Sequence, residues 1–419
     1  MPPTQESIAQ APRTIGEKST LQPVQLPPVS LAAVPPAAER SPFPVPVTIR
    51  PRVDFWKSVF TEMGRNQIAL VAKDYPHIVF RTFEAPALSD PPTNAQRDVR
   101  RQAVEAQRGD LQGTLLRLEK TRQPLSDSER ELLAKLDEVR AMPGRPADRP
   151  VTALAAQNGI RELLVQGLQR FEPYADRMRG IFRDRGLPEE LTVIPLFESY
   201  FNLSAVSSKA AVGPWQFLQQ LAGGFRLRMD SQVDERRDPI RSTEAAAAAF
   251  VSARDAWQKI IGPELAWPFA VVEHNVGRPL LLSAQRARKF TGIEEFVNSF
   301  RSKKIDYAAP NYYPEFVAMV EVYRDRHAHF PELANAPVAE LSHRKLDRSL
   351  ELRTVSQLTG LSTDAIRELN PALRAKVSVF PKGAVLHLPT DSIDEVDRWL
   401  SAEAERAALL ARKRERVPR

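Results

Sequence analysis

The 419-residue chain has no cysteine. Disulfides, thiolate catalysis, cysteine-ligated zinc, iron–sulfur clusters and a lipidated cysteine are therefore excluded within it. No apolar run approaches the ~20 residues that span a bilayer. Residues 1–11 lack the basic start and apolar stretch of a secretory signal. The expectation is a soluble chain, or a processed or mis-started form of an exported one. The six histidines are scattered and make no metal set. HExxH, P-loop and dinucleotide fingerprints are missing. Asp234, Glu235 and Asp238 lack the glycine-bearing loop of a calcium hand. They read as the lead into a helix, paired with Arg236 and Arg237. No cofactor and no metal are expected.

Proline is plentiful: 36 of 419 residues, well above the usual ~5%. Lys+Arg 59 against Asp+Glu 52 leaves a net charge of +7 at pH 7. That balance favours an anionic partner, whether a polymer, a membrane surface or a nucleic acid. An apolar share of 42% rules out a wholly disordered chain. At ~100–200 residues per domain the length suggests two to four domains.

Residues 1–50 hold 11 prolines and no period, and read as a disordered tether. Residues 51–150 read as a mostly helical N-terminal extension. In it Phe55, Trp56, Val59, Phe60 and Met63 fall at helical spacing. Two short strands are expected at 68–72 and 77–82, a helix at 94–122, and a capping box at Ser126 and Glu129. Residues 142–150 read as a linker.

Residues 151–330 read as all-α, with almost no strand signal. The spacing predicts helices over 171–185 and 188–198, joined at Gly186-Leu187-Pro188. Others are expected at 214–225, 243–261, 268–275, 284–290, 293–302 and 312–327. Residues 338–390 read as a small α+β module, with helices at 352–359 and 363–369 and brief apolar stretches at 338–341 and 385–388. A last helix and a basic tail fill 391–419, with Ser392 and Glu395 as a capping box. The fold class is mainly α.

Glu198 stands out on physical grounds alone. It ends a short apolar helix, Leu191, Val193, Ile194, Leu196 and Phe197, where desolvation raises a carboxyl pKa. The negative end of the helix dipole pushes the same way. A glutamic acid that stays protonated near neutral pH protonates leaving-group oxygens. A structural glutamate at a helix end is the plainer alternative.

Ordered motifs follow it. Glu198-Ser199-Tyr200-Phe201 continues through Ser207 to Gly213-Pro214-Trp215-Gln216-Phe217. Then come His274-Asn275-Val276-Gly277 and Asn311-Tyr312-Tyr313-Pro314-Glu315-Phe316. This set, with Gly186-Leu187-Pro188 before it, resembles the lytic transglycosylases of the goose-lysozyme-like superfamily, the membrane-bound murein type D in particular. The resemblance covers about 170–330.

It implies a lysozyme-like helical catalytic domain over 151–330, with Glu198 as the sole catalytic acid/base. It implies cleavage between N-acetylmuramic acid and N-acetylglucosamine with a 1,6-anhydro product. Ser199, Ser207, Gly213, Gln216, Asn275 and Tyr312 are implied around the substrate, Tyr312 approaching the acid and Gly213 allowing close backbone approach at the cleft. The implied partner is a peptidoglycan strand, not nucleic acid, with peripheral membrane contact left open. The implied place is the periplasm or the outer-membrane periphery. Trp215 and Phe217 read as core.

This chain departs from that pattern at three places. His274 replaces a tyrosine, Lys209-Ala210 replaces an Ala-Gly pair, and Leu203 replaces a proline. A muramidase-type hydrolase and a non-catalytic wall-binding scaffold therefore stand beside the leading reading. Residues 338–390 resemble a divergent LysM module, which implies contact with N-acetylglucosamine chains. Leu358-Thr359-Gly360-Leu361-Ser362 and Ile366-Arg367-Glu368-Leu369-Asn370-Pro371 carry that resemblance.

Overall fold

The computed structural model describes residues 41–89, 91–142, 144–145, 149–300, 307–335 and 340–415. Most of the expected tether, residues 1–40, lies outside them. The stretch from 41 to 50 is packed, contrary to the tether reading. Phe43 is buried and meets Phe316 edge-on at 4.7 Å. The Tyr313 hydroxyl donates to the Pro44 carbonyl at 2.9 Å. Prolines here shape a strap with apolar anchors, which a composition count cannot separate from a free lead.

Helix α1 (Arg50–Thr61) has a proline in its first turn, where no bond is lost. It buries Val53, Phe55, Trp56, Val59 and Phe60. These side chains join the core of the later helices, so α1 belongs to the main body. Strands β1 (Gln67–Ala72) and β2 (Tyr75–Glu84) form an antiparallel hairpin with Gln67 opposite Glu84 and irregular register around Val71.

Helices α2 (Asn94–Thr121) and α3 (Asp127–Ala141) follow. Leu111, Leu115, Leu118, Leu132, Leu136 and Val139 pack on Leu70, Tyr75, Ile78 and Phe80 as a second, smaller core. At the start of α3, Ser126 accepts from the Glu129 N–H as expected. The Glu129 carboxylate, however, takes the Leu125 N–H and not that of Ser126.

Strand β3 (Leu154–Asn158) then pairs antiparallel with the free edge of β1, Ile68 opposite Asn158. The sheet order is β2-β1-β3. This corrects one expectation: residues 151–330 do contribute a strand. Leu-Ala-Ala-Gln-Asn has little strand propensity; an unpaired neighbouring edge recruits it.

The region from 161 to 330 is helical, as expected: α4 (Arg161–Arg183), α5 (Ile194–Glu198), α6 (Gln219–Gly224), α7 (Pro239–Ile261), α8 (Pro263–Val276), α9 (Arg278–Arg288), α10 (Ile293–Ser299), α11 (Ala308–Arg324) and α12 (Arg326–His329). Helix α4 starts ten residues before the expected 171 because Leu164 and Leu168 extend its buried stripe. The expected helix at 214–225 shrinks to α6. Gly213 and Gln216 have φ of 79° and 49°, which bends 213–217 into a turn. Residues 189–193 form a 3₁₀ turn leading into α5.

The C-terminal module holds β4 (Leu341–Lys345), β5 (Leu350–Glu351), α13 (Leu352–Thr359), α14 (Thr363–Leu369), β6 (Val379–Phe380), β7 (Val385–Pro389) and α15 (Thr390–Glu415). β4 pairs antiparallel with β7, and β5 with β6. Ser362 caps α14 by accepting from the Ala365 N–H. The expected capping box at Ser392 and Glu395 is absent, since α15 begins at Thr390 and both residues lie inside it. Ile393, Val396 and Leu400 of α15 share one core with Val355, Ile366, Leu386 and Leu388. The last helix is thus part of the module's packing.

The module rests on the main helical body. The Arg374 N–H donates to the Gln232 carbonyl at 3.0 Å, and the Asp234 N–H to the Ala372 carbonyl at 2.9 Å. A buried pair, His387 Nε2 to Asp238 Oδ2 at 3.0 Å, lies beneath them.

Candidate active site

Glu198 is the last residue of α5, presented at the end of a five-residue apolar helix with Leu196 and Phe197 buried before it. The chain then reverses sharply. Tyr200 and Phe201 both adopt left-handed backbone, φ 51° and 49°, a conformation uncommon for side chains of this size. Packing enforces it: Phe201 is fully buried and meets Phe171 at 5.1 Å and Tyr174 at 5.7 Å. The Phe201 N–H donates back to the Pro195 carbonyl at 2.9 Å. The acid therefore stands at the tip of a turn nailed down behind it.

Ser199 is buried, and its hydroxyl is within reach of the Pro195 carbonyl at 3.2 Å and the Pro214 carbonyl at 3.0 Å. It ties the acid's turn to the 211–217 loop. Tyr312, buried on α11, donates its hydroxyl to Glu198 Oε1 at 2.6 Å and packs edge-on to Phe197 at 5.3 Å. The expected approach of Tyr312 to the acid is therefore present. Helix α11 is set in turn by Asn311, which accepts from buried Arg52 at 3.0 Å.

Burial raises the Glu198 pKa from the usual carboxyl range to about 7, while the Tyr312 hydroxyl bond works to lower it. At neutral pH a large share of this group carries its proton. Its side chain stays partly exposed, so the proton is reachable.

The other expected residues divide. Ser207 accepts from the Ala211 N–H at 3.0 Å and holds the 207–211 turn. Gln216 donates from Nε2 to the Gly213 carbonyl at 2.7 Å and is partly exposed. Gly213 is needed for a reason other than the one expected. A Cβ there would lie 1.8 Å from the Arg236 carbonyl oxygen, so the close approach is to the 236–237 backbone behind the loop. Asn275 is exposed at the end of α8, and no hydrogen bond joins it to Glu198 among the described residues.

His274 occupies an aromatic box. It stacks on Phe250 at 5.5 Å and meets Trp215 at 6.0 Å and Phe217 at 6.1 Å edge-on. Burial lowers its pKa to about 4, against a hydrogen bond to the Trp215 backbone that works to raise it. It is a neutral wedge that anchors α8 to the loop. Trp215 and Phe217 are core, as expected.

Sequence reasoning assigned no role to Glu315, which feels the Glu198 charge, nor to Tyr200 and Tyr307, which feel that of Glu315. The signal available was Glu315 three residues after Tyr312, one turn along the same helix face.

Residues 182–297 match the Transglycosylase SLT domain family, and residues 340–404 match the family described as lytic transglycosylase MltD, LysM-like domain. The chain thus carries a transglycosylase SLT domain of lysozyme-like helical build. Behind it stands a LysM-like domain of the MltD type, which makes this an MltD-type arrangement. The chain is 24% identical over 241 residues to membrane-bound lytic murein transglycosylase D of Escherichia coli (strain K12), covering 57% of this chain and 51% of that one. The same protein from strain O6:H1 matches equally. The chain spans about half the length of these relatives. A third relative, from Alteromonas sp. (strain M-1) and named for tributyltin chloride resistance, is 43% identical over 77 residues, 18% of this chain and 37% of its own.

Proposed function

We propose that the chain is a lytic transglycosylase that cleaves the β-1,4 bond between N-acetylmuramic acid and N-acetylglucosamine in peptidoglycan, with Glu198 as its single acid/base. The observation that carries this reading is the half-buried Glu198 carboxyl, pushed up to about 7 by burial, with the Tyr312 hydroxyl on Oε1 at 2.6 Å. Protonated Glu198 delivers its proton to the bridging oxygen as the bond to the muramic C1 breaks. The Glu198 carboxylate, steadied by Tyr312, then takes the proton of the muramic C6 hydroxyl as O6 bonds to C1. The product is a 1,6-anhydro sugar, Glu198 regains its proton, and no water is consumed.

A two-carboxylate hydrolase needs an ionised base or nucleophile in addition to the acid. Glu315 is the second carboxyl that feels the Glu198 charge. Burial and that charge raise its pKa well above the ordinary range, which disfavours the ionised base that attack by water would need. This favours attack by the C6 hydroxyl over attack by water.

Gln216 and Asn275 retain exposure to meet sugar, Ser207 holds the 207–211 turn, and Ser199 and Gly213 act from behind. The LysM-like module would hold the glycan strand, and the net positive charge suits an anionic wall polymer. The proposed place of action is the periplasm or the outer-membrane periphery, where that polymer lies. The test is mass analysis of products from purified sacculi. Anhydro-muropeptides, lighter by one water than hydrolysis products and lost with Glu198→Gln, are the expected result. Equal release by wild type and variant would overturn the reading.

A further inference from the structure

Glu315 lies on α11 three residues beyond Tyr312, so the two side chains neighbour each other on one helix face. Tyr312 touches Glu198 directly at 2.6 Å. Tyr312 is buried, whereas Glu198, Glu315, Tyr200 and Tyr307 each keep some exposure. Behind them, Tyr307 donates to Gln157 of β3 at 3.3 Å. Tyr200 is fixed by the left-handed turn after the acid, with its carbonyl accepting from Arg170 at 2.7 Å. Among the described residues no hydrogen bond or ion pair holds the Glu315 carboxyl. The acid thus opens onto a small wall of proton-bearing groups, one of them a second carboxyl with its bonding capacity unspent.

We infer that Glu315 is a second working group of the catalytic site: its carboxyl donates a hydrogen bond to an acceptor oxygen of the glycan, a hydroxyl or acetamido carbonyl, lying beside Glu198. This rests on the glycan-cleaving reading above and adds a sugar-holding residue to it. Two carboxylates that share one buried site do not both ionise readily. The groups facing Glu315 are Glu198 at the end of α5, Tyr200 in the turn after it, and Tyr307 and Tyr312 at the start of α11. All five are acids, which raises the Glu315 pKa and favours its proton-bearing, donor form. That proton is not consumed in the reaction. Its place in the site is to hold and orient the sugar while Glu198 gives up and regains its own proton.

The experiment uses the full chain in two arms. In the Glu198→Gln background, which cannot turn over substrate, binding of soluble N-acetylglucosamine tetramer is measured by calorimetry for Glu315→Gln and Glu315→Leu. Both variants keep the side-chain volume, and thermal melting checks that they fold. Gln keeps an N–H donor and Leu does not, so Gln is expected to bind roughly tenfold more tightly than Leu. Equal binding by the two, or no binding by the parent chain, overturns the inference.

The second arm compares muropeptide release from sacculi across pH for wild type and Glu315→Gln. In the wild type both Glu198 and Glu315 can lose a proton as pH rises, while in the variant only Glu198 can. The variant-to-wild-type rate ratio should therefore climb on the alkaline side, and superimposable profiles would count against the role. If the wild type releases nothing, the proposed function falls by itself and the binding arm still decides Glu315.

Discussion

A carboxyl group that keeps its proton to about pH 7 is held in place against its own preference, and the protein bears that cost in stability. The folded pKa lies above the unfolded one. The stabilisation is therefore complete below about pH 4.5 and is lost as pH rises through about 7. Glu198→Gln removes the ionisation. It should stabilise the protein at pH 8 by up to about 3 kcal/mol, with the gain shrinking toward pH 4, as thermal melts at both pH values will show. The same substitution should abolish muropeptide release. Tyr312→Phe removes the bond that favours the Glu198 carboxylate. The alkaline limb of kcat/KM should then move upward by about one pH unit or less, readable from a pH–rate profile on soluble glycan strands. A limb that stays put would mean that Tyr312 serves the fold alone.

Helix α7 is where packing, capping and the neighbouring module meet. Asp238 caps it, accepting from the Ile240 and Arg241 N–H groups at 2.9 Å and 2.8 Å, and its other oxygen pairs with His387. Burial alone would raise the Asp238 pKa, but His387 and the two N–H bonds hold it below the usual carboxylate value. His387→Ala leaves that carboxylate buried without its partner. The expected loss is about 3–5 kcal/mol, as for a broken buried pair, measured by urea unfolding. Gly213→Ala should be at least as damaging, because a side chain would collide with the Arg236 carbonyl and φ of 79° disfavours it.

Much of helix α4 was legible as a periodic apolar stripe, and so was Glu198, because an acid after an apolar run is a local signal. β3 was not legible, since its pairing is supplied by β1, 90 residues earlier in the case of Ile68 and its partner Asn158. The turn at 213–217 was hidden because Gln216 adopts a left-handed backbone that its residue type does not advertise. The true reason for Gly213 lies in Arg236, a long-range contact that spacing cannot show. Glu315 was in plain sight in its motif but acquires meaning only once Tyr312 is placed against Glu198.

At the scale of the molecule, the C-terminal module is joined to the catalytic body through backbone bonds to residues 232–234 and the pair beneath α7. Removing residues 340–404 should therefore lower the melting temperature of the remainder as well as weaken sedimentation with sacculi. A truncated chain that melts like the parent would show the interface to be dispensable. Strand β1 takes a neighbour from each side of the 142–150 connection, β2 from before it and β3 from after. Helix α1 likewise lends its buried face to the core formed by α4 and α11. A chain severed in that connection would yield two pieces, each with an incomplete sheet and an uncovered apolar face that only the other satisfies. Coexpressed as separate polypeptides, they are natural candidates for complementation, and muropeptide release would become a readout of their reunion.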